Sequence, residues 1–267
     1  MSRALPVGVV SLVGVLLFLW PFFGSDLPAN TPAWTLTLAC VVGLFLVEAG
    51  TRQLDSRAVA LLAAIAAIDT ALRLAVIEGI GGFSPIFFLV LCAGYVFGTS
   101  FGFLAGALSM LVSALAGGGV GPWVPYQVFA VGWVGVAAGL AGYWARGSGA
   151  PGWRDVLVLA GVGAATGYLV GALLDITDWV PIYRGNPTLG WMPGMDPATA
   201  LVHFGRFYVL TSLAYDTFRA AGNALMVLAL GPPVLAALGR LRARLTFEVV
   251  AVTTTAPRET SGSGATR

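Results

Sequence analysis

Apolar residues in this chain come in long unbroken runs, not in strand-like alternation. The runs lie at about residues 5–23, 34–50, 58–78, 85–98, 101–117, 126–144, 156–174 and 204–236. A helix needs roughly 20 apolar residues to cross the hydrocarbon core of a bilayer. Inside lipid the backbone must bond within its own helix or within a closed barrel. The pattern therefore predicts an all-α integral membrane protein of about eight spans. The fourth and fifth runs are short and joined only by "GTS". They read either as two short spans or as one broken, re-entrant hairpin.

Composition supports this class. Hydrophobic residues make up 58% of the chain and charged residues 10%, with a mean hydropathy of +0.88. A domain of this length cannot hide so much apolar surface from water. With the N-terminus inside, the inner segments carry Arg3, Arg52, Arg57, Arg146, Arg154, Arg240, Arg242 and Arg244, whereas the outer loops hold Arg184. That bias predicts an even number of spans, with both termini in the cytoplasm of a multi-pass protein of the cell membrane. The formal net charge of +2 reflects these basic inner edges, so nucleic acid is not an expected partner. Asp26, Glu78, Asp175, Asp178 and Asp196 fall on the outer side.

The first run ends in Trp20, Phe22 and Phe23 without a small-residue cleavage site, so it reads as a helix and not as a removable signal. Cys40 and Cys92 fall within spans and the chain has one histidine, which leaves neither a disulfide framework nor a metal cluster. Residues 246–267 turn to Thr, Ser, Gly and Pro and read as a disordered cytoplasmic tail.

Several absences restrict the chemistry. The fourteen basic residues are all arginine, so there is no Walker A lysine, and any ATP must be hydrolysed by a partner. HExxH and a carboxylate pair beside a ligating histidine are also missing, and the GxSxG string at residues 98–102 joins two apolar helical runs and is not a strand-to-helix nucleophile elbow, so no catalytic residue, metal or cofactor is expected. Binding or transport becomes the default. A self-sufficient secondary transporter should show a repeat with paired broken helices, which the sequence lacks.

Small residues recur every four positions at Ala63, Ala67, Ala71 and Ala75, at Gly98, Gly102 and Gly106, and at Gly163, Gly167 and Gly171. Each row is a helix face on which another backbone can settle closely. Asp69 and Arg73 share a face of the third span, which predicts an ion pair inside the membrane. Asp216 and Arg219 form a similar pair on the last span, with Arg206, Tyr208, Tyr215 and Asn223 nearby. Such pairs either fix helix rotation or touch a ligand.

The outer segment "DITDWVPIYRGNPTLGWMPGMDPATALVHF" (175–204) is too aromatic for an ordinary solvated linker. Its prolines at 181, 187, 193 and 197 stiffen it into a cap over the helix ends. Beneath that cap lies "GGGVGPWVPYQVF" (117–129), where glycines release one helix and two prolines shape the turn into the next. Trp123, Tyr126 and Gln127 then read either as interfacial aromatics or as a surface that contacts a ligand, the rings supplying area and the amide orientation.

The stretch "SPIFFLVLCAGYVFGTSFGFLAGALSMLVSALAGGGVGPWVPYQVFAVGWVGVAAGLAG" resembles the substrate-binding S components of energy-coupling factor (ECF) transporters. The alanine row on the third span and the ending "YDTFRAAGNALMVLALGPPVL" match as well, so the resemblance covers about residues 58–240. It implies a six-helix core, here spans three to eight, preceded by an extra two-helix hairpin. The expected segments are a hairpin at 1–57, a substrate-binding core at 58–245 and the tail at 246–267. It further implies capture of a vitamin outside, with release inside after docking on a T component that carries two ABC ATPase subunits. The AxxxA face, here Ala63, Ala67 and Ala71, would meet the T component. Candidate substrate contacts are Arg73, Trp123, Tyr126, Gln127, Trp179, Tyr183, Arg184, Trp191, Arg206, Tyr215 and Asp216. Among substrates, the chain looks most like the cobalamin-type group, with thiamine-like heteroaromatic vitamins next.

Overall fold

The computed structural model describes residues 5–23, 30–50, 54–76, 84–145 and 151–245. Arg3, Asp26, Arg52, Glu78, Arg146 and the tail from residue 246 onward, all named above, lie outside the described residues. The helices are α1 (Leu5–Phe23), α2 (Asn30–Gly50), α3 (Ser56–Ala75), α4 (Ile86–Phe97), α5 (Thr99–Ser113), α6 (Val124–Ala145), α7 (Trp153–Ile182), α8 (Pro197–Thr211) and α9 (Leu213–Leu245), with no strand among the described residues. Seven of them are long and apolar enough to span a membrane, α5 together with the π-helical turn that extends it to Gly118, and α4 is a shorter apolar helix. The expected eight spans thus correspond to seven long helices and one short one.

α4 and α5 form a tight helical hairpin that turns on Gly98, whose φ of 102° favours glycine. Gly94 and Gly102, four residues to either side, face each other. A β-carbon on Gly102 would lie 2.7 Å from the Gly94 Cα, and one on either residue would overlap the Gly135 carbonyl of α6. Further along the seam, Gly106 rests on the Val131 carbonyl and Gly139 on Gly98 and Thr99. Three backbones meet here without intervening side chains, as the row Gly98, Gly102, Gly106 anticipates. The second glycine row binds α7 to α9: Gly163 lies against Asn223, Gly167 against Ala220, and Gly171 against the Asp216 carboxylate.

One end of the bundle collects Arg57, Arg154, Arg240, Arg242 and Arg244. It is locked by two polar contacts: the Tyr95 hydroxyl donates to Asp155 Oδ1 at 2.6 Å, and Arg242 Nη1 donates to the Val96 carbonyl at 2.7 Å. At the opposite end α5 unwinds through a π-helical turn at Ala114–Gly118, with Gly117 and Gly119 at positive φ. The glycine run therefore releases the helix where the sequence indicates.

Three expectations are corrected. First, α7 does not stop at residue 174. It continues to Ile182, so Asp175, Asp178 and Trp179 are helical and not part of a loop. Its last turn is held by Trp179, whose Nε1 donates to the Leu189 carbonyl at 2.6 Å. Second, the last run, 204–236, is not one helix. It breaks at Ser212, where Thr211 Oγ1 donates to the Phe207 carbonyl and the two neighbouring hydroxyls lie 3.1 Å apart, offering the backbone local alternatives to helix continuation. Third, Asp69 and Arg73 do not pair. Each reaches across to α5, where Asp69 accepts from Ser109 Oγ at 3.1 Å and Arg73 Nη1 donates to Ser113 Oγ at 2.9 Å. Two hydroxyls one turn apart on a parallel helix divide the charges between them.

The N-terminal hairpin packs on the core through both helices, α2 against α5 and α6 and α1 against α5 to α8. Trp133 Nε1 donates to Ser11 Oγ at 3.1 Å, and the Phe18 ring meets Tyr126 edge-on at 5.2 Å. The last turn of α1 joins the cap: Trp191 Nε1 donates to the Pro21 carbonyl at 2.7 Å, and Trp20 stands 5.6 Å from Trp191.

Candidate functional site

α6 begins with Val124 and Pro125, a position where proline costs the helix no hydrogen bond because the first N–H groups lack helical partners anyway. The preceding turn folds the Trp123 indole back over Gly121, where a β-carbon would overlap the ring. One turn on, Gln127 projects from the first turn of α6, its backbone N–H donating to the Trp123 carbonyl at 3.0 Å.

Trp123 and Gln127 form one wall of a cavity of about 380 Å³. The second wall is α7, which supplies Gly171, Leu174, Asp175, Thr177 and Asp178, and α9 closes the third side with Arg219. The α7 residues share a face through their three- and four-residue spacing. Arg219 is ion-paired with Asp216, whose carboxylate occupies the space left by the missing side chain of Gly171. A glycine at 171 is therefore a condition for the acidic group of α9 to lie against α7.

Two polar atoms facing this region have no hydrogen-bond partner although their surface is buried: Gln127 Oε1 and Asp175 Oδ2. A third, Asp216 Oδ2, lies behind them. An unpartnered buried acceptor costs about 1–3 kcal/mol. A cluster of them beside a cavity marks a place where a donor from elsewhere is accommodated.

The candidate contacts divide into groups. Trp123 and Gln127 line the cavity, and Asp216 supports it through Arg219. Tyr126, next to both, turns instead into the protein and packs on Phe18. Arg73 sits on α3 against Ser113 and beside Gly118. Trp179, Tyr183, Trp191 and Arg184 belong to the cap. Trp179 and Trp191 are fully buried in an aromatic cluster with Phe207, Tyr183 meets Phe207 at 4.8 Å, and the Arg184 guanidinium lies 6.0 Å from the Trp191 ring centre. Arg206 is exposed on α8, and Tyr215 is exposed on the outer flank of α9. The cap is fastened by Asp196, which N-caps α8 by accepting from Thr199 N at 3.0 Å. These hydrogen bonds from Thr199 hold its carboxyl below the ordinary carboxylate range.

Sequence reading missed the α7 wall. Gly171, Asp175 and Asp178 stand at helical spacing, but ending the seventh span at 174 assigned the two acids to a loop. The alanine row has the opposite character: Ala63, Ala67, Ala71 and Ala75 all lie exposed on α3, while Leu62, Ile65, Ala66 and Asp69 face inward.

No three His, Cys, Asp or Glu side chains are grouped to hold a metal among the described residues. A family model described as the ECF transporter substrate-specific component matches residues 58–231, from the first turn of α3 deep into α9. No curated protein and no solved structure matches the chain. The matched stretch takes in both glycine seams, the cavity and the open alanine face, and it is well over half of the sequence. The chain therefore belongs to the ECF transporter substrate-specific component family, and it is a multi-pass membrane transport subunit, not an enzyme.

Proposed function

We propose that this protein is the high-affinity capture subunit of an ECF-type ABC importer, binding a vitamin or related micronutrient in the cavity between α6, α7 and α9. The observation that carries the reading is the convergence of Trp123 and Gln127 with Asp175 and Asp178 around about 380 Å³ of open volume. This lies at the bundle end opposite the arginines. The arginine bias supports a cytoplasmic position for both termini, in the plasma membrane, and hence an outward-facing cavity. The exposed row Ala63, Ala67, Ala71 supports docking on a T component, which brings the two ATPase subunits. The hairpin 1–57, the core 58–245 and the tail 246–267 are retained as the organisation of the chain.

Two substrate readings remain. A cobamide is favoured by the sequence resemblance. A smaller, thiamine-like heteroaromatic vitamin is favoured by the cavity, whose volume lies near the lower end of the roughly 300–1,000 Å³ typical of drug-sized ligands. The cap tryptophans support the smaller ligand too, because Trp179 and Trp191 are 0% and 1% exposed and offer no free ring face to a corrin. We adopt the smaller ligand.

The test is calorimetry on the purified protein with thiamine, cobalamin and cobinamide, together with the visible spectrum for copurified corrinoid. Stoichiometric thiamine binding supports the adopted reading, and tight corrinoid binding replaces it with the cobamide. Vitamin accumulation by proteoliposomes containing this chain alone would make it a self-sufficient secondary transporter.

A further inference from the structure

We infer that the cavity selects a small organic cation that carries N–H donors on an aromatic or delocalised framework, an inference that rests on reading this cavity as the substrate site. Charge is the first argument. Asp175 and Asp178 line the walls, and the guanidinium of Arg219, the cation of the lining, is already claimed by Asp216. Three carboxylates thus face one arginine, and a ligand that restores the balance is positive.

Hydrogen bonding gives the same sign by a separate route. The buried atoms of the lining residues that lack a partner, Gln127 Oε1 and Asp175 Oδ2, are both acceptors. A carboxylate or phosphate ligand brings further acceptors and leaves them unsatisfied, whereas an amine, amidine or aminopyrimidine brings donors. Desolvated carboxylates also disfavour an anion through like-charge repulsion.

The framework of the ligand follows from Trp123. Its indole is 44% exposed at the cavity rim, and an exposed tryptophan face attracts delocalised cations. A bare metal ion is the other positive ligand class, but the acids of this site do not form a metal-holding group. A hydrated metal ion would also make no use of the indole. The remaining class is a flat organic cation small enough for about 380 Å³.

The test uses the full-length protein in nanodiscs. The probes are thiamine and benzamidine as delocalised cations, biotin and nicotinate as anions, and riboflavin as an uncharged ring system. The expected result is binding of at least one cationic probe, weakened tenfold or more by Asp175→Asn and by Trp123→Ala, with an unchanged melting temperature. If Asp175→Asn loses its cooperative melting transition, Asp178→Asn takes its place with the same expected direction. Tight binding of biotin, nicotinate or riboflavin that is sensitive to Trp123→Ala overturns the charge class and leaves the cavity as the substrate site. Binding of any probe that is indifferent to Trp123, Gln127 and Asp175 variants overturns the site itself, and the inference with it. Failure of both cations to bind the folded protein at millimolar concentration also overturns the inference.

Discussion

The row Gly98, Gly102, Gly106 and the row Ala63, Ala67, Ala71 have the same four-residue spacing and opposite fates. The glycine row is closed at Gly102 and Gly106, which rest directly on the α6 backbone so that not even a methyl group fits, while Gly98 makes the turn. The alanine row is open along the outer face of α3, with its methyls exposed. Spacing alone states that a helix face permits close approach, whereas occupancy depends on what the rest of the chain places there. Glycine and alanine are also not equivalent. Two glycines permit backbone-to-backbone contact that must form during folding, while alanine leaves a smooth, weakly hydrophobic strip that is stable against lipid.

The largest break in this contrast comes from filling the closed row. Gly102→Leu drives a side chain into the Gly135 carbonyl and the Gly94 Cα. It should cost about 3 kcal/mol or more, the upper end of overpacking effects, seen as loss of the folded monodisperse peak in detergent. Gly167→Ala, where the new methyl would lie 2.7 Å from the Ala220 Cα, should cost about 2 kcal/mol in thermal melting. Gly171→Ala pushes on the Asp216 carboxylate, so its main effect should be on the site, an affinity loss of about tenfold, or ~1.4 kcal/mol, by calorimetry. At the open row the same kind of change should be silent in the isolated protein. Ala67→Leu should shift stability by less than about 0.5 kcal/mol and leave ligand affinity unchanged, while reducing copurification of the T component. An Ala67→Leu protein that melts markedly lower would mean the row has a partner within this chain.

These rows also show how much of the molecule was legible beforehand. Runs of apolar residues and the arginine bias were enough to indicate a helical membrane protein with its basic residues at one end. They sufficed because the bilayer forces helix length, internal backbone bonding and charge placement locally, residue by residue. Trp123 and Gln127 were legible for a related reason: proline and glycine announce an irregular turn, and polar side chains beside it have few structural uses. Asp175 and Asp178 were not legible as wall residues. Whether a helix ends at 174 or at 182 depends on Trp179 finding the Leu189 carbonyl in the following loop and on Phe22, from the far N-terminal helix, meeting Trp179, contacts that the helical pattern itself does not encode. The Asp69–Arg73 pair was misread for the same reason, since i,i+4 spacing permits a pair but Ser109 and Ser113 on another helix compete for each partner.

α4 has a further consequence. Its twelve residues rise about 18 Å at 1.5 Å per residue, against a hydrocarbon thickness of roughly 30 Å. A lipid-facing helix of that length would impose hydrophobic mismatch and thin the bilayer around it. α4 escapes this because its neighbours enclose it: ten of its twelve residues are buried. The carbonyl of Val96, near its end, is met by Arg242. The central column of the protein is thus decoupled from membrane thickness, while α1, α2, α7 and α9 set the fit to the surrounding lipid. Exchanging short for long acyl chains should therefore change the tilt of the outer helices and leave the seam around Gly98 undisturbed.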